Sequence, residues 1–340
     1  MYYVGLDVSV KRTAVCIVDS AGKLTHEADA NSTPHAVAAA ISSIGVEIER
    51  VGLEAGVSSA WLARGLLAMG LPVIVIDATH AAAALRTGFR NKTDRNDARG
   101  IADLMRVNKF RSVWVKSPTA QRDRALLTVR EQLRRQSLDV RNTIWSILQG
   151  EGFQPPKLAS PAFEALLGQT IDDPDIGHLL RPLATIAAQI DRQVTELDRT
   201  IAARAKASVT CRRLMTVPGV GPLVALTYVS GVDQPQRFRN ARTVGAHFGL
   251  TPRRHQSGEM DWSGRISRAG DGAVRRALYQ AANVLLHRSK SWCSLKSWAV
   301  RLAKRRGLAK AKVALARKLA VVLHKMWTAG EDYRIKAAVA

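Results

Sequence analysis

The chain is short of acids, has few cysteines and carries no long apolar run. Each shortage excludes a class of protein. Its 340 residues hold 28 Asp and Glu against 51 Lys and Arg, a formal charge of +23. Self-repulsion of that size opposes compaction unless a polyanion neutralises it, so nucleic acid is the expected partner. A membrane surface fits worse, because the basic residues are scattered along the chain and not gathered beside an apolar anchor. Cys16, Cys211 and Cys293 form no CxxC pair and have no His at zinc-ligand spacing. That excludes a disulfide framework and a structural zinc site, and leaves buried thiols in a reducing compartment. No stretch approaches the roughly 20 apolar residues of a membrane span. The opening "MYYVGLDVS" also reaches an acid before such a run forms. The expected location is the bacterial cytoplasm, on DNA.

What is present is enough apolar sequence, 46%, to fill two or three domains. The runs "YYVGLDVS" and "TAVCIVDSAG" read as a strand hairpin ending in the turn Ser20-Ala21-Gly22. A helix "PHAVAAAISSIG", a strand "RVGLEAG", a helix "SSAWLARGLLAMG" and a strand "LPVIVIDA" follow, the pattern of a mixed α/β sheet. Thr93 or Asp94 caps a further helix running to Val107. After Pro118, Leu126, Val129, Leu133, Val140, Ile144 and Ile147 recur at steps near three and four. So do Leu183, Ile186, Ile190, Val194, Leu197 and Ile201, which predicts two long helices as an antiparallel pair or a dimer seam. "GFQPPKLASP" and "DDPDIG" between them read as loop.

From Cys211, "LMTVPGVGPLVALTYVSGV" holds a Pro-Gly-x-Gly turn between two short helices. Such a turn is either a helix-hairpin-helix element with amides facing a phosphate or a plain αα turn capped by glycine. A Gly- and Ser-rich segment follows, carrying Arg253, Arg254, Arg265, Arg268, Arg275 and Arg276, then an amphipathic helix and a basic helical tail. These arginines suit phosphate contacts that position nucleic acid without reading its sequence.

Four acids stand out. Asp7 ends the first strand, Glu54 ends "RVGLE", and Asp94 and Asp97 lie three residues apart in "RNKTDRNDARG", on one face of the predicted helix. Strand ends in an open α/β sheet converge on one edge, and a following helix can lean its first turn over it. Clustered carboxylates need cations between them, and paired Mg²⁺ ions about 3.5–4 Å apart clamp the oxygens of phosphoryl transfer. The competing reading is a solvated network in which Arg90, Lys92, Arg95 and Arg99 hold the acid pair.

Taken with "VPGVGP", "FGLTPRRHQSGE" and "GRISRAGDGAVRRALYQAA", these motifs resemble the DEDD-type insertion-sequence transposases. The resemblance implies a RuvC-like, RNase H-like N-terminal domain, a central coiled coil of long helices and a mainly α-helical C-terminal domain. The corresponding segments are 1–112 with the metal site, 118–207 with a loop insert, 208–292 with a serine nucleophile, and 293–340 as a basic tail. It assigns Asp7, Glu54, Asp94 and Asp97 to a site for Mg²⁺ or Mn²⁺, and Ser257 to the nucleophile. It also implies donor and target DNA as substrates, a guide RNA from the element's own non-coding end, and a dimer or tetramer. On chemistry alone Ser257, Ser263 and Ser267 are equivalent, and each could merely form a turn. His255 is either a base or a packing residue. Two other readings stand beside the recombinase: a hydrolytic two-metal junction nuclease and a non-catalytic nucleic-acid scaffold. "GLDVS" also opens sugar-kinase and actin-like ATPase folds, but the chain has no second Gly-rich phosphate loop after a later acidic strand.

Overall fold

The first strand, β1 (Tyr2–Val8), lies at the centre of a five-stranded sheet of order β3-β2-β1-β4-β5. A computed structural model describes residues 1–79, 81–82, 93–158 and 160–334. Arg90 and Lys92, Ala159 in the predicted loop and the last six residues of the predicted tail lie outside the described residues. β2 (Arg12–Asp19) pairs antiparallel with β1, and β3 (Leu24–Asn31) antiparallel with β2. β4 (Ile48–Glu54) joins the other side of β1 in parallel, followed by β5 (Val73–Ile76). This mixed topology is compatible with an RNase H-like domain. The hairpin and the two later strands match the expectation. β3 does not figure in it: "LTHEADAN" is a largely solvated edge strand, so it carries no apolar run to announce it.

Both faces of the sheet are covered over β1, β2, β4 and β5, which is why those strands read as apolar runs. Val4, Leu6, Val51, Leu53 and Val75 face one core beneath α1 (Pro34–Ser42) and α2 (Ser59–Ala68). Tyr3, Ala14, Cys16 and Val18 face the other, beneath α3 (Asp94–Arg106). Burial pushes the Cys16 thiol up to about 12, so it is inert at neutral pH. Cys211 and Cys293 are likewise buried free thiols.

The chain divides into two compact units, Met1–Lys116 and Ser117–Ala340. The second opens with α4 (Pro118–Gly150), capped by Ser117, whose hydroxyl accepts from the amide of Ala120. α6 (Gly177–Ala207) runs antiparallel to it: Asp123 meets Arg204, Arg130 meets Asp198, and Ser137 and Arg141 meet Asp191. The two long helices are therefore found as expected. These polar pairs share the seam with an apolar cluster at one end, where Ile144 and Leu148 meet Leu180, and Val129 and Ile186 of the apolar stripes are about half exposed. α5 (Pro161–Thr170) stands between the two stretches read as loop, its Ser160 cap and buried Phe163 and Leu167 docking it on α4 and α6.

A larger core is built from α7 (Val209–Leu214), α8 (Pro222–Val232), α9 (Ala241–His247), α10 (Gly272–His287), α11 (Ser294–Arg306) and α12 (Leu308–Ala329). Gly219, between α7 and α8, has φ +90°, and a Cβ there would sit 2.6 Å from the carbonyl oxygen of Ala281. The Pro-Gly-x-Gly turn thus packs against α10 at that residue. Asp271 caps α10, accepting from the amides of Ala273 and Val274, and pairs with Arg124. Burial pushes its carboxyl up, but Arg124 and the two amides outweigh that and hold it below the ordinary value. A depressed carboxyl stabilises the fold above its unfolded pKa of about 3.9, and the contribution disappears as pH falls through the folded value. Asp271→Ala is therefore expected to cost about 1–2 kcal/mol at neutral pH. The difference from the parent should shrink below about pH 4 in chemical denaturation series.

Candidate active site

The period of two along a strand decides where the first two acids go. Tyr3 and Gly5 of β1 face α3, so Asp7 lies on that face too; Arg50 and Gly52 of β4 face α3, and so does Glu54. The last rung between β1 and β4 is Leu6–Leu53, which leaves Asp7 and Glu54 side by side at the strands' C-terminal ends. α3 crosses this face in the opposite direction. Arg50 donates to the carbonyl of Met105 at 2.8 Å, Gly52 abuts Met105 and Ile101, and Gly5 abuts Ala102 and Ala98. Following the strands toward Asp7 and Glu54 therefore follows the helix back to its first turn, which holds Asp94 and Asp97. Thr93 fixes that turn by accepting from the amide of Asn96.

Gly5 makes the approach possible. A Cβ at this position would lie 1.9 Å from the Ala98 carbonyl oxygen and 2.4 Å from the Ala102 nitrogen, both backbone atoms that cannot turn aside. Gly5→Ala is expected to force α3 off the sheet, costing about 3 kcal/mol. Activity should fall along with the denaturation midpoint, whereas Gly168→Ala, in α5 with no atom within 4 Å of the added carbon, should leave both in place.

Among the described residues neither Asp94 nor Asp97 forms an ion pair, and Arg95 reaches Asp29 at 3.9 Å. Asp94 is exposed and Asp97 half-buried, as are Asp7 and Glu54. Also among the described residues, no three His, Cys, Asp or Glu side chains already stand close enough to hold a metal ion. The structure thus brings the four acids to one sheet edge without closing them into a ligand set. As donors, four carboxylates are hard oxygen ligands, matched to Mg²⁺ or Mn²⁺ and poorly matched to softer metals.

Ser257 lies in the second unit, at the end of β6 (Pro252–Ser257), which pairs antiparallel with β7 (Met260–Ile266). Sequence reasoning read this stretch as an irregular Gly- and Ser-rich segment. Its signal as a hairpin was the Ser-Gly-Glu turn, with Gly258 at φ +55°. Ser257 is exposed at the tip, Ser263 lies in mid-strand opposite Arg254, and Ser267 is tied into the hairpin's root. The six arginines divide. Arg254 is paired to Asp261 at 2.8 and 2.5 Å, Arg275 donates to the carbonyls of Phe248 and Ala269, and Arg253 donates to that of Ser267. The side chains of Arg265, Arg268 and Arg276 make no hydrogen bond or ion pair to the described residues. Arg276 also lines a cleft of about 190 Å³ with Arg124, Arg130 and Arg135, which contains neither Ser257 nor the four acids.

Comparison with known proteins places the chain. The DEDD transposase profile of the IS110 group matches residues 4–152, and a profile described as the transposase IS116/IS110/IS902 family matches 211–297. A transposase for insertion sequence element IS1111A from Coxiella burnetii is 30% identical over 343 residues, covering 98% of this chain and 91% of its own length. The chain belongs to the IS110 family of DEDD-type transposases. A putative transposase y4pF/y4sB from Sinorhizobium fredii is 31% identical over 72% of this chain and 65% of its own. A probable family 20 transposase from Pseudomonas aeruginosa is 28% identical over 72% and 74%. The transposase is thus an enzyme acting on DNA, and family membership implies a divalent metal. No helix among its described residues is long and apolar enough to cross a membrane.

Proposed function

We propose that the transposase cuts and rejoins DNA through a covalent phosphoserine at Ser257, with Asp7, Glu54, Asp94 and Asp97 as its divalent-metal site. The observation that carries this reading is the presentation of Ser257 at the exposed tip of an arginine-flanked hairpin, where a phosphodiester has unhindered access. In the reaction the Ser257 Oγ–P bond forms and one P–O ester bond of the strand breaks. The hydroxyl proton leaves to a base, and the departing oxygen takes one up. The number of phosphoester bonds is unchanged, so the reverse attack by a strand end rejoins DNA without ATP. Arg265 and Arg268, toward the hairpin's root, would hold phosphates of the flanking strand. Mg²⁺ or Mn²⁺ at the four acids would supply charge stabilisation for the attacking and leaving oxygens.

The division into segments 1–112, 118–207, 208–292 and 293–340 belongs to this reading, as does assembly into a dimer or tetramer. A guide RNA from the element's non-coding end is proposed as the second nucleic-acid partner. It rests on the family likeness alone, because the +23 charge suits DNA and RNA equally. Denaturing electrophoresis of a cleavage reaction tests the chemistry: a protein–DNA adduct that survives denaturation supports the serine. Free ends in bulk with no trapped adduct would replace it by hydrolysis at the metal site.

A further inference from the structure

The β6–β7 hairpin has no core behind it. Every residue of β6 is exposed, and β7 is exposed or half-exposed throughout. A lone two-stranded ribbon is marginal in water. Its root is nonetheless fixed: the amides of Ser267 and Arg268 donate to the carbonyls of Thr251 and Gly249. Gly249, at φ +64°, meets the Ala269 backbone so closely that a Cβ would sit 2.4 Å from it. The body of the protein thus holds out a ribbon whose two faces differ. Gln256–Asp261 and Arg254–Ser263 make a polar face closed by the Arg254–Asp261 pair. Ser257–Met260 and His255–Trp262 make the other, where the imidazole and indole stack 4.3 Å apart with 16° between their planes. Trp262 is 56% and Met260 67% exposed on this face.

We infer that this face is a stacking platform for an unpaired DNA base beside the scissile phosphate. Trp262, backed by His255, takes the flat face of the base, and Met260 wedges into the gap it leaves. The inference rests on the assignment of Ser257 as nucleophile and extends it to Trp262, His255 and Met260 as positioning residues. The spacing supports it: neighbouring rungs on one face lie about 7 Å apart along the strand, roughly one nucleotide of extended backbone. A base on Trp262 thereby carries its adjoining phosphate to Ser257. Charge favours DNA as the occupant over an apolar peptide, since Arg253, Arg265 and Arg268 border the ribbon. A β-ribbon also fits the major groove, and apolar side chains are the means by which proteins unstack base steps.

The test uses the full-length protein and a mixed-sequence DNA duplex bearing 5-iododeoxyuridine in a short single-stranded gap. Irradiation followed by peptide mass spectrometry is expected to place the cross-link on Trp262 or Met260. Trp262→Ala should weaken binding to gapped DNA roughly tenfold without changing the slope against salt, because stacking neutralises no phosphate. Trp262→Phe should restore most of the affinity, and fully paired duplex should bind every variant alike. Cross-links confined to the lysines of α11 and α12, equal losses on gapped and paired DNA, or cross-linking only to an iodouridine RNA would overturn the inference. Ser257→Ala should keep the cross-link. A wild-type protein that cross-links through Trp262 but forms no adduct ends the serine reading alone, and one that forms the adduct without the cross-link ends the platform alone.

Discussion

Ser257→Ala is expected to eliminate the denaturation-resistant protein–DNA adduct and to lower strand transfer on the order of 10⁴-fold or more, the scale of losing a covalent nucleophile. Ser263→Ala and Ser267→Ala should keep the adduct. The three serines, equivalent by composition of their surroundings, differ in position. Ser263 lies in mid-strand on the polar face, opposite the Arg254 that is locked to Asp261. Ser267 helps close the hairpin's root: its amide donates to Thr251, its carbonyl accepts from Arg253, and its hydroxyl accepts from the Ala269 amide. Only Ser257 of the three stands at the tip with an adjoining glycine turn. Because it is exposed and Gly258 rather than Ser257 holds the positive φ, its replacement should leave stability within about 0.5 kcal/mol. Loss of the adduct with an unchanged denaturation midpoint therefore reports chemistry. An adduct that persists in Ser257→Ala and vanishes in Ser267→Ala would move the nucleophile to the root.

Much of the first unit was legible because its strands are buried on both faces, and such strands announce themselves as apolar runs. The strand ends at Asp7 and Glu54 followed from those runs. Which face each acid takes is fixed by Gly5 and Gly52, whose meaning appears only when α3 lies across them. Nothing in a single sequence says that a glycine in a strand faces a helix at van der Waals distance and not open solvent. β3 and α5 escaped notice for opposite reasons. β3 is a solvated edge with little to bury, and α5 is a ten-residue helix whose apolar side chains are completed by α4 and α6. The hairpin at Ser257 was legible as motif and not as shape. Its strands "PRRHQS" and "MDWSGRI" lack the alternation that a half-buried sheet imposes, since neither face has a core to meet.

Asp97→Ala should reduce strand cleavage about 10²–10³-fold while leaving nucleic-acid affinity nearly unchanged, and Asp7→Asn should do the same. The alternative role for Asp97 is structural, since an acid in the first turn of α3 complements the helix dipole. That role is worth about 0.3–1 kcal/mol and predicts a small loss of stability with no particular effect on chemistry. The measurement that separates the two is the response to Mn²⁺. If the four acids hold the ion, Mn²⁺ at about 100 times its dissociation constant should stabilise the parent by about 2.7 kcal/mol, seen as a raised denaturation midpoint. Asp97→Ala and Asp7→Asn should respond little, though they come from a helix and a strand distant in sequence. Asp29→Asn, which removes the partner of Arg95 at the same end of α3, should respond as the parent does. A midpoint that rises equally with Mn²⁺ in all four proteins would place the ion elsewhere. Variants that cleave normally would return Asp94 and Asp97 to the helix dipole. The two readouts together matter because the four acids arrive on three separate elements. Parallel loss of Mn²⁺ response from changes on β1 and α3 requires that the strand end and the helix turn serve one ion.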